Sequence, residues 1–100
     1  GLSERYHENG QPDYRSNYKN GKRDGPYEFF HDNGQLSSRG NYNNGEQDGL
    51  FEMYYENGQL EEKGNYKDGK KEGVFESYTK NDSRFQSIRR CYKNGEGVSC

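Results

Sequence analysis

The chain has no alanine and no tryptophan, and its 100 residues include only two prolines, two cysteines and one methionine. Hydrophobic residues make up 25% of the chain, and most of these are Tyr or Phe, so aliphatic side chains are scarce. Such a chain cannot fill the core between two packed layers, and the lack of alanine disfavours a helical bundle. No run of 18 apolar residues occurs, so the sequence predicts no transmembrane helix.

The chain also lacks a strong excess of either charge. The net charge is −2, and general affinity for nucleic acid is therefore not expected. Charged residues make up 32%, which by itself would suggest disorder. Ten tyrosines and an ordered pattern of glycines argue against disorder.

An internal repeat of 24 residues organises the sequence. The segments that begin at Tyr18 and Tyr42 share 12 identities without a gap. A third copy follows, loses its match, and returns in phase at Tyr92 after two extra residues near Ser83 and Arg84. We therefore predict one domain over residues 1–100, made of a half repeat at 1–17, repeats at 18–41, 42–65 and 66–91, and a C-terminal cap at 92–100.

Each repeat contains two turn signals. The pair Asn33-Gly34 recurs at 9–10 and 57–58, and Asn-Gly favours the type I′ hairpin turn, in which both central residues have positive φ. A longer signal, from Asn20 to Gly25, recurs in the next two repeats. The aromatic segments between turns indicate strands of a meander, which we place near residues 4–8, 11–19, 26–32, 35–43, 50–56, 59–67, 74–80 and 85–93, with a short ninth strand at 97–100.

The predicted fold class is all-β: a single-layer, elongated antiparallel β-meander built from 24-residue hairpin repeats. Eight strands spaced by about 4.8 Å would span about 38 Å. Two rings are expected to lie over strand glycines, Tyr27 over Gly40 and Phe51 over Gly64. With no second sheet, contacts between neighbouring repeats must hold the structure together.

The predicted turn register divides the side chains between two faces. A two-residue turn at positions 33 and 34 pairs His31 with Leu36. The aromatic face then collects Tyr27, Phe29, His31, Leu36, Tyr42, Phe51, Met53, Tyr55, Leu60 and Tyr66. The opposite face carries Glu28, Asp32, Arg39, Glu52, Glu61 and Lys63, together with a ring row of Phe30, Tyr54 and Tyr78.

The repeat unit G-x-[YF]-E-x-[FY]-x-x-N-G-Q-L…G-N-Y-x-x-G-x-x-[DE]-G resembles the MORN-repeat-variant family. It looks most like the bacterial branch described as YwqK-like antitoxins, over residues 6–80 and more weakly over 85–97. The resemblance implies an elongated sheet that serves as an interaction scaffold. Related repeats also accompany phosphatidylinositol-phosphate kinase domains, so a repeat-only chain can carry a kinase-derived name without kinase activity.

The residues with metal-binding or catalytic chemistry do not form a site in the predicted fold. His7 and His31 lie two strand spacings apart, about 9–10 Å, whereas zinc holds its ligands at about 2 Å. Turn chemistry explains Asp24, Asp48 and Glu72, since their loops lack the alternating acidic ligands of a calcium loop. No nucleotide-binding, hydrolase or kinase motif is present. We expect no metal, no cofactor and no enzymatic activity.

An aromatic strip that no second layer covers is typical of a partner-binding surface, although the same rings also serve the fold. Residues 41–62 carry six acidic residues and no Lys or Arg, and we expect this acidic section to steer a basic partner. The alternative is an ordinary solvated surface. The partner-binding candidates are Tyr27, Phe29, Phe51, Met53, Tyr55, Glu52, Glu56 and Glu61, and the ring row of the opposite face is a second candidate.

Three functions remain open from the sequence. The first is a protein-interaction module whose partner, by the family resemblance, is a toxin. The second is binding to anionic lipid through the basic stretch formed by Lys80, Arg84, Arg89, Arg90 and Lys93. The third is a structural repeat of the cell envelope. End-to-end self-association is compatible with the uneven charge distribution.

Cys91 and Cys100 are the only cysteines. One interpretation is that both are free thiols in a cytoplasmic protein. In the other, Gly95 and Glu96 form the tip of the last turn, which places Cys91 opposite Cys100 at a distance that a disulfide can span. A disulfide would imply an oxidising compartment, and an export signal would then precede residue 1.

Overall fold

The computed structural model describes residues 1–79 and 87–100, and every regular element within them is a β-strand. Three predictions fall wholly or partly on residues 80–86, outside the described residues: the ends of two strands, the two extra residues, and part of the basic stretch. The strands are β1 Leu2–Tyr6, β2 Pro12–Lys19, β3 Lys22–Arg23, β4 Gly25–Phe30, β5 Leu36–Asn43, β6 Glu46–Gln47, β7 Gly49–Tyr54, β8 Leu60–Lys67, β9 Lys70–Tyr78, β10 Ser87–Lys93 and β11 Glu96–Val98.

The strands form one open antiparallel sheet that follows the chain order β1-β2-β4-β5-β7-β8-β9-β10-β11. The short strands β3 and β6 pair with β2 and β5. The described residues span 39 × 34 × 13 Å, and all eleven strands among them belong to this one sheet. The predicted single-layer β-meander is confirmed.

The turns at Asn9-Gly10, Asn33-Gly34 and Asn57-Gly58 are not of type I′, and this prediction was wrong. Only the glycine of each pair has positive φ. The Gly34 N–H donates to the His31 carbonyl and the His31 N–H donates to the Gln35 carbonyl, which closes a three-residue loop. Asn33 stabilises the turn through its side chain instead, because its Oδ1 accepts a hydrogen bond from the Gln35 N–H at 2.9 Å.

A β-bulge absorbs the extra loop residue. Phe30 pairs with Leu36, and after a register shift Phe29 pairs with Ser38. The expected pairing of Leu36 with His31 was therefore wrong, but the register further along the hairpin matches the prediction. As a consequence, Leu36 joins the ring row of Phe30, and Leu60 joins that of Tyr54, instead of the aromatic face.

Turns with two positive φ angles occur at the other end of each repeat. They are Asn20-Gly21, Asn44-Gly45, Asp68-Gly69 and Asn94-Gly95. Successive turns are joined by backbone hydrogen bonds, such as the one from the Gly45 N–H to the Arg23 carbonyl at 2.7 Å. Neighbouring repeats are thus joined along this edge as well as through the strands.

The small core consists of rings pressed onto glycines. Tyr27 is only 4% exposed and lies on Gly40 as predicted, with ring atoms 2.7 Å from where a β-carbon would stand. Phe75 is 2% exposed and covers Gly64 at 2.5 Å by the same measure. Phe51 pairs with Gly64 along the strand, but the ring nearest to the Gly64 β-carbon position is that of Phe75, so the expected cover by Phe51 was wrong.

Cys91 and Cys100 are joined by a disulfide, with their Cα atoms 5.2 Å apart. The register that led to this pairing was nevertheless wrong. The tip of the last turn is Asn94-Gly95, and Cys91 pairs with Val98 instead of Cys100. The bridge therefore runs diagonally from β10 to the residues that follow β11.

We predict that Gly64→Ala destabilises the fold by about 1–3 kcal/mol, because the added methyl group requires the Phe75 ring to move. Gly97→Ala in β11 is the control, since nothing lies within 4 Å of its β-carbon position. Urea unfolding of both variants measures the difference. Equal losses of stability would show that the ring contact is unimportant.

We also predict that Phe75→Ala costs more stability than Tyr54→Ala. Removing a buried Phe typically costs about 3–5 kcal/mol. Tyr54 lies on the opposite face and is only half-buried, so the same measurement should give a smaller loss. A larger loss for the Tyr54 variant would contradict the assignment of the core to the aromatic face.

Candidate functional site

The aromatic face carries two groups of rings in contact. The Tyr27 ring centre lies 4.9 Å from that of Tyr42 and 5.7 Å from that of Phe29, whose ring also contacts Tyr14. The second group runs across four strands with edge-to-face contacts of 5.4–5.6 Å between the ring centres of Phe51, Tyr66, Phe75 and Tyr92. Such pairs contribute about 0.5–1.5 kcal/mol beyond the area they bury, so the rings stabilise the sheet even without a covering layer.

The predicted partner-binding rings differ in how much surface they offer. Tyr27 is buried, and burial raises the pKa of its hydroxyl to about 12. Phe29, Phe51 and Met53 are half-buried, so each presents part of its side chain on this face. Tyr55 is also half-buried, but its hydroxyl donates a hydrogen bond to the Tyr78 carbonyl at 2.7 Å. Phe29, Phe51 and Met53 are therefore the better candidates.

The role of Tyr55 explains the two histidines. His7 Nε2 lies 3.0 Å from the Phe30 carbonyl oxygen, and His31 Nε2 lies 2.9 Å from that of Tyr54. His7, His31 and Tyr55 occupy the same position of successive repeats, and each contacts the carbonyl of the residue just before that position in the next repeat. These side chains connect neighbouring hairpins, which accounts for them without a metal.

Among the cations that lie over rings, two occupy equivalent positions of different repeats, and neither was identified from the sequence. The Arg23 guanidinium lies 5.3 Å from the Tyr42 ring centre, and the hydrogen bonds that it donates to the Tyr18 and Tyr42 hydroxyl oxygens raise its pKa. Lys71 Nζ lies 4.9 Å from the ring centres of both Phe75 and Tyr92. Both cations follow a two-residue turn and precede a ring of the same repeat, a spacing that the repeat alignment could have revealed.

On the opposite face, a row of alternating charges crosses eight strands. Each member pairs in register with a neighbour of opposite sign, and we call the row the charge ladder and this side of the sheet the ladder face. The ladder is Glu4, Arg15, Glu28, Arg39, Glu52, Lys63, Glu76 and Arg89. Ion pairs of 2.5–4.0 Å join three of its neighbouring pairs, Arg15–Glu4, Arg39–Glu52 and Arg89–Glu76.

The ladder changes the interpretation of Glu52. The Arg39 Nε donates to Glu52 at 2.5 Å, and this carboxylate raises the pKa of the guanidinium. The charge of Glu52 is therefore compensated within the sheet. Glu56 is exposed at a hairpin tip and Glu61 is half-buried in β8, so these two remain the candidates for steering a partner.

An aliphatic strip runs beside the ladder on the same face. Its members recur every 24 residues. The first four each lie two positions before a ladder acid, and the fifth, in the last strand, pairs with Cys91. The strip is Leu2, Pro26, Leu50, Val74 and Val98, and all five are exposed. A shallow groove of about 340 Å³ lies between β4, β5 and β7, and its lining includes Pro26, Leu50, Arg39 and Glu52.

The acidic residues of the long turns bind the backbone of the next repeat. Asp24 Oδ1 accepts from the Asn44 N–H at 3.2 Å, and Glu72 Oε2 accepts from the Asn94 N–H at 3.0 Å. Among residues 1–79 and 87–100, no group of three or more His, Cys, Asp and Glu could hold a metal ion. Within the same ranges no helix has the length and hydrophobicity needed to cross a membrane.

The three cations of the basic stretch that the structure describes are exposed. They are Arg89, Arg90 and Lys93, and Arg89 also belongs to the charge ladder. Lys80, Arg84 and the single acid Asp82 lie outside the described residues. The described part of the stretch therefore offers two cations, Arg90 and Lys93, in addition to the ladder.

The sequence profile of the MORN repeat variant matches the chain three times, at residues 1–20, 23–44 and 47–68. No curated protein and no solved structure matches the chain. The matches cover more than half of the sequence and coincide with the hairpins that the turn signals delimit. The chain belongs to the family of the MORN repeat variant.

Proposed function

We propose that the chain is a non-enzymatic scaffold that binds a protein partner on its aromatic face. The observation that carries this proposal is the half-buried row of Phe29, Phe51 and Met53, which no second layer covers in the described residues. Aromatic residues and Met are enriched in protein interfaces relative to the rest of the protein surface. Met53 sits between Ser38 and Glu62 in the register, so small and polar groups border this apolar surface.

The class of partner follows from the resemblance of the repeat unit to antitoxin-type proteins. A toxin encoded beside this chain is the first candidate, and inhibition would require only that the sheet cover the toxin's surface. The exposed acid Glu56 and the half-buried Glu61 support a partner that is basic at the contact. Anionic lipid is less well supported. The described part of the basic stretch adds only two cations to the ladder, Arg90 and Lys93, and the acidic residues of β7 and β8 would oppose docking of the sheet on an anionic surface.

The aromatic face is tested by affinity capture from cells of the source organism, followed by titration of the captured protein with purified chain. Met53→Lys should weaken binding at least about tenfold, since it places a charge among desolvated rings. Asn43→Lys adds the same charge at an exposed position at the end of β5 and should leave the affinity unchanged. Equal affinities of the two variants would exclude the aromatic face, and flotation with vesicles of anionic lipid would indicate the lipid function instead.

Steering by the acidic section gives a separate prediction. Glu56→Lys combined with Glu61→Lys should slow association with the captured partner and reduce its dependence on salt, with little change in dissociation. Stopped-flow or surface-based kinetics at two ionic strengths measures both rates. An unchanged association rate at low salt would remove the electrostatic part of the proposal without affecting the aromatic face.

A further inference from the structure

Most of the large apolar side chains that are strongly exposed among the described residues lie on the ladder face and not on the aromatic face. Six large apolar side chains are strongly exposed among the described residues. Five of them, with exposures of 44–59%, lie on the ladder face: Leu2, Tyr6, Leu50, Val74 and Val98. The sixth, Ile88, pairs with Ser77 on the aromatic face. An apolar surface beside a row of charges is typical of a protein interface, so the ladder face needs its own explanation.

The order of charges in the ladder is self-complementary. Reading it from β1 to β10 gives acid, base, acid, base through eight positions, and reading it backwards exchanges every sign. A second copy can be placed face to face with the first by a two-fold axis that runs parallel to the strands and passes between Arg39 and Glu52. In this arrangement every ladder charge lies opposite a ladder charge of the other sign. The four kinds of contact are Glu4 with Arg89, Arg15 with Glu76, Glu28 with Lys63, and Arg39 with Glu52.

The same axis also matches the apolar parts of the face. It preserves the position of each residue along the strand direction, so the aliphatic strip of one copy lies over the strip of the other. Leu50 then lies above the groove between β4 and β7, near the axis. A two-fold axis along the ladder would instead bring like charges together. The charge order therefore selects one of the two possible face-to-face arrangements.

The dimensions of the sheet are sufficient for a stable dimer. Its outline of 39 × 34 Å exceeds the roughly 800 Å² that each partner contributes to a standard interface. Sheets commonly pack face to face with their strands nearly aligned, which this axis produces. Because the ladder has as many bases as acids, two copies approach without net repulsion between their ladders.

We propose that the ladder face is the interface of a face-to-face homodimer, formed by the charge ladder and the aliphatic strip. The occupant is a second copy of this chain, because the chain itself carries the complementary charge order. This assembly goes beyond the proposed function, because it leaves both aromatic faces directed outward. A failure of the dimer would not affect the proposal of a partner on the aromatic face, and the reverse also holds.

The decisive experiment exchanges charges between two variants. Arg39→Glu and Glu52→Arg each place like charges across the axis, so each variant alone should dimerise at least about tenfold more weakly than the unmodified chain in sedimentation velocity. Mixed in equal amounts, the two variants should form a heterodimer of restored affinity, since every contact across the axis is again between opposite charges. Each variant loses the same ion pair within the sheet, so a folding defect cannot produce recovery on mixing.

A matched pair of apolar variants tests the face itself. Leu50→Ser on the ladder face should weaken the dimer, and Ile88→Ser on the aromatic face should not, although the two side chains are 53% and 55% exposed. A chain that stays monomeric up to millimolar concentration at low salt would overturn the proposal. The proposal would also be overturned if the mixed charge variants failed to associate, or if the two apolar variants had equal effects. Open-ended association that the charge variants leave unchanged would overturn it as well, because it would indicate end-to-end contact through the sheet edges.

Discussion

Every side-chain contact that holds the described part of this sheet together lies within the sheet, between strands or between hairpins, because the described structure has no second layer. A ring can be buried in such a sheet only if the adjacent strand leaves space for it. Tyr27 and Phe75 reach that state by lying on Gly40 and Gly64, where a β-carbon would be only 2.5–2.7 Å from the ring. The other rings pack edge to face against these two or extend the row, and they remain half-buried. The glycine positions therefore determine where the core lies, and the rest of the aromatic face is arranged around them.

The charge ladder contributes to the register of the sheet more than to its stability. A single cross-strand pair of opposite charges contributes roughly 0.2–1 kcal/mol, and exposed pairs often contribute less. A two-residue slip of any strand, however, keeps the same side chains on each face and yet removes a ladder member from both of its neighbours. Hydrogen bonds between repeats, such as that from Asn33 Nδ2 to the Glu56 carbonyl at 2.8 Å, oppose the same slip at the hairpin tips.

The sequence was sufficient to predict the architecture because the fold depends on a period and on turn residues, which are both local. It also identified Tyr27 on Gly40 and the presence of two distinct faces. It was not sufficient for features that depend on a single extra residue. The loop at Asn33-Gly34 has three residues instead of two, and a bulge at Phe29 and Phe30 restores the register. The positions of Leu36 and Leu60 depend on that bulge, which the repeat pattern does not show.

The candidate site was predicted less completely for a related reason. Rings are conspicuous in the sequence and direct attention to the aromatic face, whereas the charges are seen first as blocks along the chain. The charge ladder is visible only when Glu4, Glu28, Glu52 and Glu76 are read as one column at intervals of 24 residues and set beside the bases that pair with them. The cations Arg23 and Lys71 were missed because each contacts a ring that lies most of one repeat further along the chain, Tyr42 or Tyr92.

The third repeat shows that the ladder face keeps its geometry where the period fails. Tyr66 and Tyr92 are 26 residues apart, two more than the period, whereas Val74 and Val98 are again separated by 24. Val98 lies six positions after Tyr92, whereas Val74 lies eight positions after Tyr66, and this compensates for the longer spacing. Val98 therefore pairs with Cys91, which on its other side pairs with Val74, and the aliphatic strip continues to the last strand. The disulfide to Cys100 covalently joins the end of β11 to β10 at this position, so the edge of the ladder face is held where the repeat pattern ends.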